Sequence, residues 1–130
     1  MALPFSVSLR PGLPIYEQVI YAVTRAIVSG QLREGDAFPS VRVLSQELRI
    51  NPNTAHKIVT ILVEQRLLQV LPGIGTAIAP SRPAGPAMRR PLLQEDVERI
   101  VVEGRRAGAT LEELLAAVRR HWGRTERRAM

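Results

Sequence analysis

The apolar positions of the chain change period several times, and each change marks a boundary. Phe5, Val7 and Leu9 alternate with Ser6, Ser8 and Arg10, which predicts a short strand. Pro11-Gly12 interrupts it. Ile15, Val19, Ala22, Val23, Ala26 and Ile27 then recur at three and four, one face of a helix. Pro14 suits that helix's first turn, and Gly30 closes it near Ser29. Gly35-Asp36 marks a turn. A second, shorter helix opens at Pro39-Ser40, with Ser40 as N-cap and Val41, Leu44 and Leu48 facing inward, and ends near Arg49. A third starts at once, with Asn51 as N-cap and Pro52 at its first position. Its apolar side is Ala55, Ile58, Val59, Leu62 and Val63. Two helices joined by so short a connection have the spacing of a helix-turn-helix.

After Arg66 the period falls to that of strands. Leu67, Leu68, Val70 and Leu71 form one run, Pro72-Gly73-Ile74-Gly75 a turn, and Thr76, Ala77 and Ile78 a second run. A hairpin placed directly after a helix-turn-helix is a wing. Residues 80–91 hold four prolines and a glycine, a composition that predicts a linker without helix or central strand. Beyond it Leu93, Val97, Ile100, Val101 and Gly104 give a fourth helix, which Gly108 stops. Thr110-Leu111-Glu112-Glu113 matches a capping box. The fifth helix carries Leu111, Leu114, Leu115, Val118 and Trp122 on one face, and Gly123 is expected to end it. The fold class is mainly α with a small β-hairpin. Residues 1–79 form a winged helix-turn-helix domain, 80–91 a linker, 92–123 a two-helix dimerisation region and 124–130 a basic flexible tail.

Composition narrows the function. At 130 residues the chain is too short for a large catalytic scaffold such as a (β/α)₈ barrel. It has no cysteine, which removes disulfides, thiol nucleophiles and Cys-based zinc sites. No apolar run reaches the ~20 residues of a membrane span, and no secretory signal opens the chain, so a cytoplasmic location is expected. The net charge of +6 suggests an anionic partner, most simply nucleic acid. Residues 1–80 contribute seven basic and five acidic side chains, so any DNA contact there rests on a few placed residues.

In a helix-turn-helix the second of the paired helices enters the major groove, where base edges distinguish all four pairs. Its first turns here carry Asn51, Asn53, Thr54, His56 and Lys57. Asn53 suits an adenine edge or a phosphate, Thr54 a phosphate, Lys57 a phosphate or a guanine. Asn51 and Pro52 have the plainer role of starting the helix, and His56 could be a solvated side chain. Arg42 lies where a cation opposes the dipole of its own helix, which makes a phosphate or base contact attractive. Ser40 suits both a cap and a phosphate. Gly73, Gly75 and Thr76 form an uncharged wing tip whose backbone amides can approach phosphate, or whose glycines simply supply positive φ.

These residues resemble a known family. Pro14-Ile15-Tyr16-Glu17-Gln18, Gly30-Gln31-Leu32-Arg33-Glu34-Gly35-Asp36, Pro39-Ser40-Val41-Arg42, Asn51-Pro52-Asn53-Thr54 and Gly73-Ile74-Gly75-Thr76 stand in the order seen in GntR-type bacterial regulators. The start of the third helix and the short C-terminal region resemble the YtrA-type branch. The resemblance implies a homodimeric DNA-binding regulator, usually a repressor, whose operon often encodes an ABC transporter and the regulator itself. It implies DNA contacts at Arg42, Asn53, Thr54, Lys57 and the wing around Gly73 and Gly75. Three places depart from the family pattern, one of them Ile58-Val59, where an aromatic or Ala-Tyr pair is usual. His56 precedes the basic Lys57, and Gln65-Arg66 stands where Glu-Gly is usual.

The C-terminal stripes, Leu93, Val97, Ile100 and Val101 with Leu111, Leu114, Leu115, Val118 and Trp122, are expected to pack on each other and on a second copy. Trp122 is the expected interface anchor, or ordinary core between the two helices. The partner so implied is double-stranded DNA with a two-fold symmetric operator. No cofactor is expected, and no metal, since His56 and His121 lie in different segments without ligand spacing. An effector, if there is one, would sit at the dimer interface or between domains, and the sequence does not identify it. The alternative is an adaptor or architectural DNA-binding protein whose C-terminal helices recruit another protein. An enzyme is not expected, because no nucleophile–base pair or phosphate-cradling loop is present.

Overall fold

The computed structural model describes residues 3–81 and 85–126. The chain divides into two compact units after Ser81. In the first, helix α1 spans Ile15–Val28, α2 Val41–Leu48 and α3 Pro52–Glu64. Strands β1, Leu68–Leu71, and β2, Gly75–Ile78, follow as an antiparallel hairpin with Leu68 opposite Ile78 and Leu71 opposite Gly75. The helices form where apolar spacing and caps agree. Val19, Val23, Ala26 and Ile27 of α1, Leu44 of α2, and Ala55, Ile58 and Leu62 of α3 close on Leu68 and Ile78 of the hairpin. The third-to-fourth spacing that identified each helix is thus the spacing of its buried face. Ile15, expected on that face, is exposed at the first turn.

The N-terminal arm departs from expectation. Residues 6–10 have no regular secondary structure and pair with no strand. Phe5 is buried and stacks on Phe38, with ring centroids 5.9 Å apart. At the far end the Gln18 side chain serves both backbone groups of Arg10: Oε1 accepts from Arg10 N at 2.7 Å and Nε2 donates to Arg10 O at 3.0 Å. One glutamine thus supplies locally the two bonds that a strand neighbour would have supplied.

The wing has a third element that sequence periodicity did not show. Ala37 bridges Ala77, Phe38 N donates to Thr76 O, and Gly35 N and Asp36 O bond the main chain of Ile78. The segment after α1 therefore covers the outer edge of β2 and ties the wing to the core through Phe38.

In the second unit α4 spans Pro86–Pro91, a π-helical turn Leu92–Asp96, α5 Val97–Arg106 and α6 Leu111–Thr125. The expected linker is therefore helical in its last six residues. Pro86 occupies the first turn, where a missing N–H does no harm. Pro91 has no N–H to give the preceding turn and its ring crowds it, and the wider π turn follows directly. Gly108, at φ 84°, ends α5 as expected, and the capping box forms, with Thr110 Oγ1 accepting from Glu113 N and Glu113 Oε1 accepting from Thr110 N. Gly123 does not end α6, which runs on to Thr125, and so the expected tail begins inside the helix. Residues 127–130 of that tail lie outside the described residues.

The two C-terminal helices meet at their elbow, where Leu114 lies against Gly104 so closely that a Cβ there would stand 2.8 Å from Leu114 Cδ1. They do not cover each other's stripes. Leu93, Val97, Ile100, Val101, Leu111, Leu115 and Val118 are all exposed, and Trp122 is 70% exposed. At the elbow itself Leu114 is half-buried and Gly104 buried. The expectation that the helices pack along their length is thus corrected. Their tight turn fixes the elbow and leaves both apolar faces outward.

Candidate nucleic-acid interface

The interface is built on the side of α3 that the core does not use. With Ala55, Ile58 and Leu62 buried, the helical period turns Asn53, His56, Lys57, Thr60 and Glu64 to the surface. Thr54 is half-buried at the edge of this stripe. The helix begins as the sequence requires. Asn51 Oδ1 accepts from Asn53 N at 2.7 Å, and Pro52 occupies the first position. The Asn51 carboxamide oxygen is thereby engaged in the cap. The backbone dipole presents its positive end beside Asn53 and Thr54, a field that favours phosphate.

Helix α2 packs across α3 and brings two more of the expected residues to the surface. Ser40 Oγ accepts from Val43 N at 3.2 Å, so the serine caps the helix. Arg42, the second residue of α2, is exposed, and no acidic side chain stands in that first turn to balance it. Arg49, at φ 54°, makes the turn between α2 and α3 and adds a second exposed cation beside the start of α3. Sequence periodicity had no means of singling it out.

At the wing, Gly73 and Gly75 have φ 76° and 134°, and a Cβ added at either would meet nothing within 4 Å. The glycines serve backbone conformation here, not close packing. Between them Ile74 is 84% exposed, and its N–H donates to Leu71 O. Thr76 is half-buried on β2.

Besides Arg49, two residues at the site escaped the sequence reading. Thr60 continues the stripe of Asn53 and Lys57 at helical spacing, a signal that periodicity carried. Tyr16 of α1 lies under Lys57, whose Nζ is 3.9 Å from the ring centroid. That pairing joins residues forty-one positions apart, and only the packing of α1 on α3 creates it. Among the described residues no group of three or more His, Asp or Glu side chains is placed to hold a metal ion, and no helix is long and apolar enough to cross a membrane.

Comparison with known proteins agrees with this geometry. The model of the bacterial regulatory proteins of the gntR family matches residues 15–78, the span from α1 to the end of β2. The HTH-type transcriptional repressor YtrA of Bacillus subtilis is 30% identical over 106 residues, covering 81% of this chain and 82% of that protein. A crystal structure described as a transcriptional antiterminator from Listeria monocytogenes superposes with a TM-score of 0.78 at 24% identity, over 90% of this chain and 88% of that one, and so shares the fold. The DNA-binding domain of AraR, solved in complex with operator ORX1, matches at 28% identity and a TM-score of 0.51, over 57% of this chain and 95% of that one. A capped third helix, a glycine-turned wing and these relatives together make the chain a DNA-binding transcription regulator, not an enzyme: it belongs to the gntR family of bacterial regulatory proteins, in its YtrA-type branch.

Proposed function

We propose that the chain is a homodimeric repressor that works in the cytoplasm on a two-fold symmetric operator of its own operon. Residues 1–79 read the DNA and residues 92–123 hold two copies together. Asn53, Thr54 and Lys57 of α3 and Arg42 of α2 make the side-chain contacts. Ser40, Asn51, His56 and the wing at Gly73, Gly75 and Thr76 border the same duplex. Repression is carried over from YtrA, which is named a transcriptional repressor, and an ABC-transporter operon as the target is what the resemblance to the YtrA-type branch implies.

The observation that supports the dimer is the second unit itself. A stripe of leucines, valines and an isoleucine on α5 and α6, with Trp122, stands exposed, and the helices do not bury it against each other. Exposed apolar stripes of this kind mark a protein–protein contact. A second copy satisfies the requirement with the same patch on both sides. Two-fold symmetry in the protein then calls for two half-sites about one helical turn, or a multiple of it, apart.

The test is fluorescence anisotropy with duplex DNA from the region upstream of the gene, at two salt concentrations, against a shuffled duplex of equal length. Sedimentation of the same sample gives the oligomeric state. A dimer that prefers its own duplex by ~10³ or more supports the proposal. Equal, steeply salt-dependent binding to both duplexes refutes specific autoregulation. A monomer at micromolar concentration refutes the dimer.

A further inference from the structure

The inference rests on the reading of α3 as the DNA-binding helix. We infer that Tyr16 is a positioning residue of the interface: its ring holds the Lys57 ammonium at the flank of α3, where it meets a backbone phosphate and not a base edge.

Four observations combine. Lys57 Nζ lies 3.9 Å from the centroid of the Tyr16 ring, within the range of a cation–π contact. Tyr16 is itself half-buried and packs against the hydrophobic core, so the ring is a fixed platform. Its hydroxyl donates to Glu17 Oε1 at 3.3 Å, which anchors the far edge of the ring and places an acceptor beside it. Lys57 alone among the basic residues is a lysine, with a four-carbon stem and many rotamers. A free lysine on an exposed helix face loses that freedom when it binds DNA. Held over a ring before DNA arrives, it loses less.

The direction of the contact decides the role. The ring draws the ammonium away from the middle of the stripe, toward α1. Asn53 and Thr60 remain exposed on that stripe. A point charge at the edge of a helix, without a second donor in the same plane, suits a phosphate better than the paired acceptors of guanine. Tyr16 and Lys57 therefore raise affinity without choosing sequence.

The experiment is a double-mutant cycle on the full chain, read by anisotropy. Two duplexes are used: one carrying the sequence that the wild-type protein selects from a randomised pool, and one unrelated. The variants are Tyr16→Leu, Tyr16→Phe, Lys57→Met and the double variant Tyr16→Leu/Lys57→Met. Tyr16→Leu weakens binding about two- to fivefold, the span of an exposed cation–π contact. It does so by the same factor on both duplexes. Tyr16→Phe keeps wild-type affinity. Lys57→Met lowers the slope of log K against log salt by about one, and in that background Tyr16→Leu has no further effect. Circular dichroism melts check that Tyr16→Leu stays folded at the assay temperature. If Tyr16→Leu weakens binding equally with and without Lys57, or acts on the selected duplex alone, the inference is wrong. A wild-type chain that binds neither duplex overturns the DNA-binding reading beneath it.

Discussion

Replacing Arg66 by glycine should make the DNA-binding unit more stable, although it removes a side chain and adds no contact. The reason lies in how α3 ends. Leu67 N donates to Leu62 O at 2.9 Å, and Arg66 N donates to Val63 O at 3.0 Å. These are the two bonds of a Schellman turn, which requires the residue between them to be left-handed. Arg66 has φ 61°. The same turn closes α5, where Ala109 N bonds Gly104 O and Gly108 N bonds Arg105 O, with Gly108 at φ 84°. One chain thus makes one turn twice, once with glycine and once with arginine. A left-handed L-residue costs roughly 1–2 kcal/mol. Glycine avoids that and gives back about 0.5–1 kcal/mol through its freer unfolded chain. The net gain from Arg66→Gly is therefore about 0.5–1 kcal/mol. For a unit of about 80 residues this raises the midpoint by roughly 3–6 °C. The assay is thermal unfolding followed by circular dichroism without DNA. Arg66→Ala is the control, since alanine loses the side chain and keeps the backbone penalty. A gain for glycine with none for alanine supports the reasoning. Equal midpoints for both, or a lower midpoint for glycine, refute it.

Ser40→Ala removes the cap of α2 and should lower stability by about 1 kcal/mol, with Ser40→Gly losing only a few tenths, as read from the same melts. Arg42→Ala should weaken DNA binding about ten- to a hundredfold on the selected duplex if it reads a base edge, and about equally on all duplexes if it meets phosphate. Anisotropy on both separates the cases. Trp122→Ala should shift the monomer–dimer equilibrium toward monomer in sedimentation and lower DNA affinity only through that shift. An intact dimer would remove Trp122 from the interface.

The local chemistry of this protein was readable along the chain. Ser40, Asn51 and Thr110 cap helices because a short polar side chain can serve the amides two or three positions ahead, and no distant partner is needed. Val19 and Val23, Ala55 and Ile58 were identified as inward by a period that each helix imposes on itself. The wing turn followed from two glycines whose φ no other residue adopts cheaply. So did the motif order that placed the chain in its family.

What the sequence left open was every outcome with a distant partner. Phe5, Val7 and Leu9 alternate like a strand, but alternation says only which side is apolar. No strand neighbour pairs with residues 6–10, and both backbone groups of Arg10 bond the Gln18 side chain instead. Proline content predicted a linker after residue 80, yet Pro86 at a helix start and Pro91 before a π turn are both tolerated, because a proline's cost depends on its position in the helix. Gly123 lies within α6, since an isolated glycine lowers helix propensity by about 1 kcal/mol and cannot by itself end a helix. The stripes of α5 and α6 looked like mates, and the elbow at Gly104 and Leu114 set them apart. The Tyr16–Lys57 contact and the left-handed turn at Arg66 belong to the same class. Periodicity records what one element must bury, and only the packed chain decides what meets it there.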